Sequence, residues 1–209
     1  MIRMAVTELE TFRYWKGQED PLTADLVADL SRKVEPTPQM QAGSALAKFF
    51  ETAAAGGGDF YAVNSGEWTF DFGALDHQFQ LPPFREVKGE KIYETPSGLV
   101  TLVGKVDGLD GKVVHDEKLT EKLDIERYYL DSLQWRAYLD MFGADKFVYD
   151  VFLARYQKKN DVVVGRVVEI KDYQPVPFYR YPGIEQHVRS AVVELADVIV
   201  NFLPERVKP

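Results

Sequence analysis

The chain has 209 residues, 33 of them acidic and 25 basic, for a formal net charge of −8. That length suits one domain with a sizeable core, and a content of 45% hydrophobic and 28% charged residues is ordinary for a globular protein. The absence of cysteine excludes disulfides, thiolate-bound zinc and cysteine-ligated iron–sulfur clusters, and no apolar run approaches the ~20 residues of a membrane helix.

Residues 5–16 predict a first helix, with Thr7 and Glu10 spaced as a capping box and Leu9, Phe12 and Trp15 facing inward. Pro21 and Thr23 open a second helix over 24–33, which Pro36 and Pro38 terminate. A third is predicted over 39–55 and stops at the glycines of 56–58. Residues 59–63 and 68–72 read as short strands or loop-anchoring aromatics. His77 reads as surface or structural, and Leu81-Pro-Pro83 as an extended break.

From Arg85 the chain is strand-like; Glu86, Glu90 and Glu94 fall on it and receive no chemical role. Two further strands, 99–109 and 112–119, are joined by Asp110-Gly111, a strong hairpin signal because both residues tolerate positive φ. Helical spacing over 123–142 places Ile125, Tyr129, Leu133 and Tyr138 or Leu139 on one buried stripe, with Gly143 as C-cap. Strands over 147–156 and 162–172 follow around a turn at 158–161, and Pro175 and Pro177 break the chain. An amphipathic helix over 183–203 ends the pattern, with His187 exposed at its start.

The chemistry concentrates in the hairpin. Side chains alternate across a strand, so Asp116 and Lys118 share a face and Glu117 takes the other. Such a pair is either a surface salt bridge or part of a metal site. In the second reading Asp107 joins Asp116 as a hard oxygen ligand for Mg²⁺, and the lysine acts on water or phosphate. Glu169 and Lys171 repeat the acid–x–lysine spacing, but without an upstream hairpin aspartate or a following helix of the right kind.

The run Gly104-Lys-Val-Asp107, eight residues, Asp116-Glu-Lys118, then Gln134 and Tyr138 on one helix face, resembles the signature of the PD-(D/E)XK nuclease superfamily. The ordered set is similar to its RecB-type and phage-type exonuclease branch, with its Q-x-x-x-Y helix. Val106 stands where the name-giving proline would be. The opening T-E-L-E-T-F-R-Y-W resembles the S-x-L-x-x-F helix of that branch. The helix holding Gly43, Ala47 and Glu51 resembles its G-x-x-x-H…E helix, with alanine at the histidine position.

The resemblance implies a restriction-endonuclease-like α/β fold: a central mixed sheet flanked by helices. It would form one domain over 1–209, with a helical N-terminal portion (1–58) and a catalytic core (85–209). It implies Mg²⁺ or Mn²⁺ held by Asp107, Asp116 and the Glu117 carbonyl, with Glu51 as a supporting carboxylate. Lys118 would orient the attacking water, and Gln134 and Tyr138 would fix the DNA phosphate or hold Lys118.

The implied activity is a metal-dependent DNA nuclease, an exonuclease of phage or bacterial recombination and repair. DNA is then the partner, with a recombinase or single-strand annealing protein beside it. The N-terminus lacks the basic-then-apolar pattern of a signal peptide, so a cytoplasmic protein without membrane attachment is expected. The acidic balance argues mildly against general nucleic-acid binding, although Lys105, Lys112, Lys122, Arg127 and Arg136 lie near the motif. Two other classes stay open: a catalytically inactive nuclease-like module that binds DNA or protein, and a structural or assembly protein.

Overall fold

The structure is a computed structural model and describes residues 1–31, 35–53, 60–75 and 79–207. In chain order its main elements are β1 (Ile2–Ala5), α1 (Val6–Lys16), α2 (Thr23–Ser31), α3 (Pro38–Thr52), β2 (Ala62–Ser65) and β3 (Trp68–Asp71). There follow β4 (Phe84–Thr95), β5 (Gly98–Asp110), β6 (Val113–Thr120), a π-helical turn (Glu126–Leu130) and α4 (Leu133–Phe142). The chain closes with β7 (Lys146–Lys159), β8 (Val162–Tyr179) and α5 (Ile184–Phe202).

Among the described residues eight strands join one mixed sheet in the order β1-β5-β6-β7-β8-β3-β2, with β4 on the other edge of β5. β4 pairs along the whole of β5, so β1 and β6 must share the opposite edge. β1 runs parallel to residues 100–103 and β6 antiparallel to residues 108–110. Between those two stretches β5 leaves one neighbour for the other, and this fork holds the motif residues.

Period-two alternation along β7 divides the core between the two faces of the sheet. Phe147, Tyr149 and Val151 face a cluster built with Leu9 and Phe12 of α1, Leu133 and Ala137 of α4, and Val188, Val192 and Leu195 of α5. Phe152, Ala154 and Tyr156 face Ala42, Leu46 and Phe50 of α3, with Phe70 and Phe72. Phe50 is fully buried among the rings of Phe60, Phe72, Phe79 and Phe152, a burial that stabilises the fold by roughly 2–3 kcal/mol. Among the described residues no helix is long and apolar enough to cross a membrane.

α4 is fixed at its C-terminal end. The buried Asp140 carboxylate accepts from the Tyr93 hydroxyl and from Lys91 Nζ, both at 2.6 Å. At its C-terminus Gly143 takes the left-handed cap (φ 60°). Arg180 donates to the Leu139 carbonyl at 2.6 Å and to that of Ala144 at 2.9 Å.

Several expectations are corrected. The N-terminal portion is not purely helical, because β1 enters the central sheet; four residues are too few for alternation to announce a strand. The capping box of α1 is two residues earlier: the cap is Ala5, whose N–H donates to Glu8 Oε2 at 2.7 Å. Of the two readings of 59–63 and 68–72, strands are what forms, β2 and β3 pairing as a hairpin over residues 62–71.

The helix expected over 123–142 is interrupted by the π turn and Ser132, so Ile125 lies outside the buried stripe, 41% exposed. β8 continues through Pro175 and Pro177, which pair with Asp150 and Val148 of β7. β3 covers β8 only at 167–169, so both prolines put their missing N–H on an open edge, where none is needed. The expected end of α2, the glycines of 56–58 and His77 lie outside the described residues.

Candidate active site

The β5–β6 hairpin closes at Asp110↔Val113 around a two-residue loop in which Gly111 has φ 55°. Only three residue pairs form before the fork, ending at Gly108↔His115. Asp107 and Asp116 are the next positions in that register, placed to face each other where the strands part. Asp107 Oδ2 accepts from the Glu117 N–H at 2.8 Å. Asp116, only 4% exposed, lies 2.5 Å through Oδ2 from Lys118 Nζ and accepts from Gln134 Nε2 at 3.0 Å. The fork therefore gathers two carboxylates and one ammonium, each within electrostatic reach of the others.

Gln134 sits in the first turn of α4, and its position is set from outside the motif. Ser132 caps the helix, its Oγ accepting from the Gln134 N–H at 3.1 Å. Glu10 of α1 adds a carboxylate at the same helix end. Its Oε2 accepts from the Leu133 N–H at 2.8 Å and from Ser132 Oγ at 3.0 Å, while Oε1 pairs with Arg13 at 2.6 Å. Negative charge at a helix N-terminus is stabilising, and here it clamps the turn that holds Asp116. Glu10 is thus a positioning residue rather than a partner of Thr7, and no local sequence spacing shows a contact more than a hundred residues away.

Tyr138 is one turn on. It is buried, and its hydroxyl donates to the Lys105 carbonyl at 2.9 Å. Gln134 and Tyr138 thus act on Asp116 and on the β5 backbone beside Asp107, not on Lys118.

Glu117 points to the other face of the sheet. Its side chain is 5% exposed and pairs at 2.6 Å with Arg85, itself 10% exposed. Arg85 belongs to β4 and is the register partner of Gly108. A Cβ on Gly108 would come within 2.4 Å of the Pro82 ring and 3.2 Å of Arg85 Nη1, so the missing side chain makes room for Pro82 and, beside it, for the guanidinium that crosses β5 to reach β6. Asp150 is beside Glu117 in register and bonds His115 Nδ1 at 2.8 Å and the Tyr173 hydroxyl at 2.6 Å. This polar cluster braces the back of the strand whose front carries Asp116 and Lys118.

Two residues read without chemistry or with a different role need restating. Glu86 has φ 55°, unusual for a residue with a side chain, and its carboxylate pairs with Lys105, two residues from Asp107. Strand alternation carries no signal for such a backbone outlier. Glu51 lies at the end of α3, exposed, and pairs with Lys48 at 2.6 Å rather than with the fork. Among the described residues no three His, Asp or Glu side chains gather closely enough to cage a metal. A cation here would be held by two carboxylates, with backbone, water or phosphate oxygens as the remaining ligands, which suits Mg²⁺.

The electrostatics fit such an ion. Burial, and then the neighbouring Asp116, push the Asp107 carboxyl up to about 6. Lys118 is held above its ordinary value: burial works against its charge, and the Asp116 carboxylate overcomes it. The fork thus carries more negative charge than one ammonium neutralises, in a setting that offers hard oxygen donors. Because the folded pKa of Asp107 is raised, its ionisation costs stability. That cost is absent below the ordinary carboxylate range and fully present above about pH 6. Asp107→Asn is therefore expected to stabilise the metal-free protein at pH 7 by about 2–3 kcal/mol. Thermal melts without metal should show that gain at pH 7 and lose it near pH 4; an unchanged or lowered Tm at pH 7 contradicts the charge excess.

Two clefts open onto Lys118 and Gln134. One of about 580 Å³ is walled by Thr7, Glu10, Arg13 and Asp29; a second of about 300 Å³ is walled by Thr120, Tyr128, Tyr129 and Tyr149.

No family model matches the chain, and no curated protein matches it. Solved structures do. The protein SSO0001 aligns over 97% of this chain and 77% of its own, with a TM-score of 0.51 and 14% identity. A candidate exonuclease from Eubacterium rectale aligns over 100% of this chain and 84% of its own, with a TM-score of 0.53 and 13% identity. At these identities the likeness shows a shared architecture, an α/β fold of one central mixed sheet flanked by helices.

Proposed function

We propose that this chain is a metal-dependent DNA nuclease of the PD-(D/E)XK kind, acting as an exonuclease. The observation that carries the reading is the fork: Asp107 and Asp116 adjoin across parting strands, with the Lys118 ammonium 2.5 Å from Asp116. A solved structure of like fold named as a candidate exonuclease supports it. Asp107, Asp116 and the Glu117 carbonyl would hold Mg²⁺ or Mn²⁺. The bound ion supplies charge neutralisation at the scissile phosphate and acidifies water.

Lys118 stays protonated beside Asp116, so it cannot serve as a general base at neutral pH. It donates hydrogen bonds, placing the attacking water and drawing charge from a non-bridging phosphate oxygen. The new bond joins the water oxygen to phosphorus; the bond to the 3′ oxygen breaks, leaving a 5′-phosphate and a 3′-hydroxyl. Gln134 keeps Asp116 aimed into the fork, and Tyr138 fixes β5 at Lys105.

Linear DNA incubated with Mg²⁺ should be degraded, covalently closed circles should survive, and EDTA should stop the reaction. Intact linear DNA under Mg²⁺ and Mn²⁺ alike would refute the assignment. One observation favours a catalytically silent DNA-binding module instead: Ala47 offers no ligand and Glu51 is engaged by Lys48. Calorimetric titration with Mn²⁺ separates the two, since a silent module should bind no ion that Asp107→Asn abolishes.

A further inference from the structure

Between β6 and α4 the chain makes the π-helical turn Glu126–Leu130. Asp124 starts it, its Oδ1 accepting from the Arg127 N–H at 3.0 Å and its carbonyl from the Tyr128 N–H at 3.1 Å. Tyr129 turns inward onto the Tyr149 ring, with centroids 4.6 Å apart. The wider winding leaves Tyr128 and Leu130 outside, 52% and 49% exposed. Single π turns recur at functional sites because they re-aim side chains at a cost in helix regularity. Here the re-aimed side chain is Tyr128, which walls the cleft of about 300 Å³ that also holds Lys118, Thr120 and Gln134. The Arg127 guanidinium lies over its ring, 5.2 Å from the centroid.

This cleft therefore offers a half-exposed aromatic ring backed by a cation and, across from it, the ammonium assigned to the scissile phosphate. An aromatic platform beside a phosphate-binding cation is the pairing by which proteins hold unpaired nucleotides. The space is too small for a duplex and suits one nucleotide. We propose, resting on the nuclease reading above, that Tyr128 is a stacking platform for the nucleobase adjoining the scissile phosphate. The enzyme then takes its substrate strand single-stranded or frayed at the end.

The test uses the full chain and a short single-stranded DNA carrying 2-aminopurine at successive positions, bound in Ca²⁺ so that no strand is cut. One position should change fluorescence on binding. Tyr128→Ala should abolish that change and weaken binding roughly tenfold or more, while Tyr128→Phe should keep both. An abasic residue at the responsive position should weaken the wild-type protein to the same degree and the Tyr128→Ala variant no further. Because Tyr128 is a surface side chain, an unaltered melting curve is expected for both variants. Wild-type binding that Tyr128→Ala leaves unchanged overturns the platform alone. A wild-type protein that binds duplex DNA but no single strand overturns the platform alone, and one that binds neither overturns the nuclease reading with it. A Tyr128→Ala variant that loses double-stranded but not single-stranded binding also overturns the proposal.

Discussion

Arg85→Met is expected to destabilise the fold by about 3–5 kcal/mol, the usual cost of removing one partner from a buried ion pair. For a chain of this size that is a loss in Tm on the order of 10 °C. The guanidinium is the cation paired with Glu117, which is nearly sealed from solvent and has Asp150 beside it and Asp107 nearby. Burial already pushes the Glu117 carboxyl up from its ordinary value, with Arg85 pulling the other way. Without Arg85 the group escapes part of the penalty by taking a proton. Its folded pKa then stands further above the unfolded one, so the folded state holds more protons in that window. The variant's stability must fall as pH rises through it, and go on falling to higher pH than the wild type's, whose Glu117 is pushed up to about 8.

Adding Glu117→Met removes the orphaned charge and should recover most of the loss, since apolar pairs of similar volume replace buried ion pairs at little cost. Thermal melts of the wild type and of the single and double variants from pH 5 to 10 check both points. A single variant as stable as the wild type, or a double variant no better than the single, would show that the pair braces nothing. The site should feel the change too: the Glu117 backbone donates to Asp107, and loosening such a support commonly costs 10–100-fold in metal affinity.

The sequence carried the local half of this site and missed the long-range half. Asp-Gly between alternating strands announced the hairpin, and period two put Asp116 and Lys118 on one face with Glu117 behind, because both signals depend only on neighbours in the chain. What the alternation could not show is where β5 changes partners. That depends on β1, which is far away in sequence and only four residues long. Arg85 and Glu10 were invisible for the same reason: each acts across a strand or a helix end with no periodic relation to its target. The π turn defeated the helical stripe read over 123–142, since a fixed 3.6-residue period cannot register one wider turn. Proline was misread in β8 because its effect depends on which edge lacks a neighbour, a property of the sheet and not of the strand. Glu51 shared the right helix with the family pattern, but the helix end aims it at Lys48.

Lys118→Met should cut DNA hydrolysis by roughly 10³-fold while leaving the metal site at least as strong as before. The rate follows from what the ammonium contributes in the reading proposed above. A single preorganised donor at a developing anion contributes about 10²–10³ in rate, and Lys118 places the water as well. The metal follows from the charge count. Asp116 Oδ2 is engaged by Lys118 at 2.5 Å, so the ammonium competes with any cation for that oxygen. Methionine keeps much of the side-chain volume against the Tyr149 ring, now 5.6 Å from Nζ, and frees the carboxylate. Two adjoining unneutralised carboxylates then raise the affinity for a divalent ion, and they destabilise the metal-free variant until the ion is supplied. Asp116→Asn should behave oppositely, losing both cleavage and Mn²⁺ binding. Calorimetry with Mn²⁺, melts with and without the ion, and a cleavage assay on linear DNA read the three effects separately. Retained cleavage in Lys118→Met would remove the lysine from the chemistry. Weakened Mn²⁺ binding in that variant would mean that the fork holds its ion in some other way than through the oxygen Lys118 now occupies.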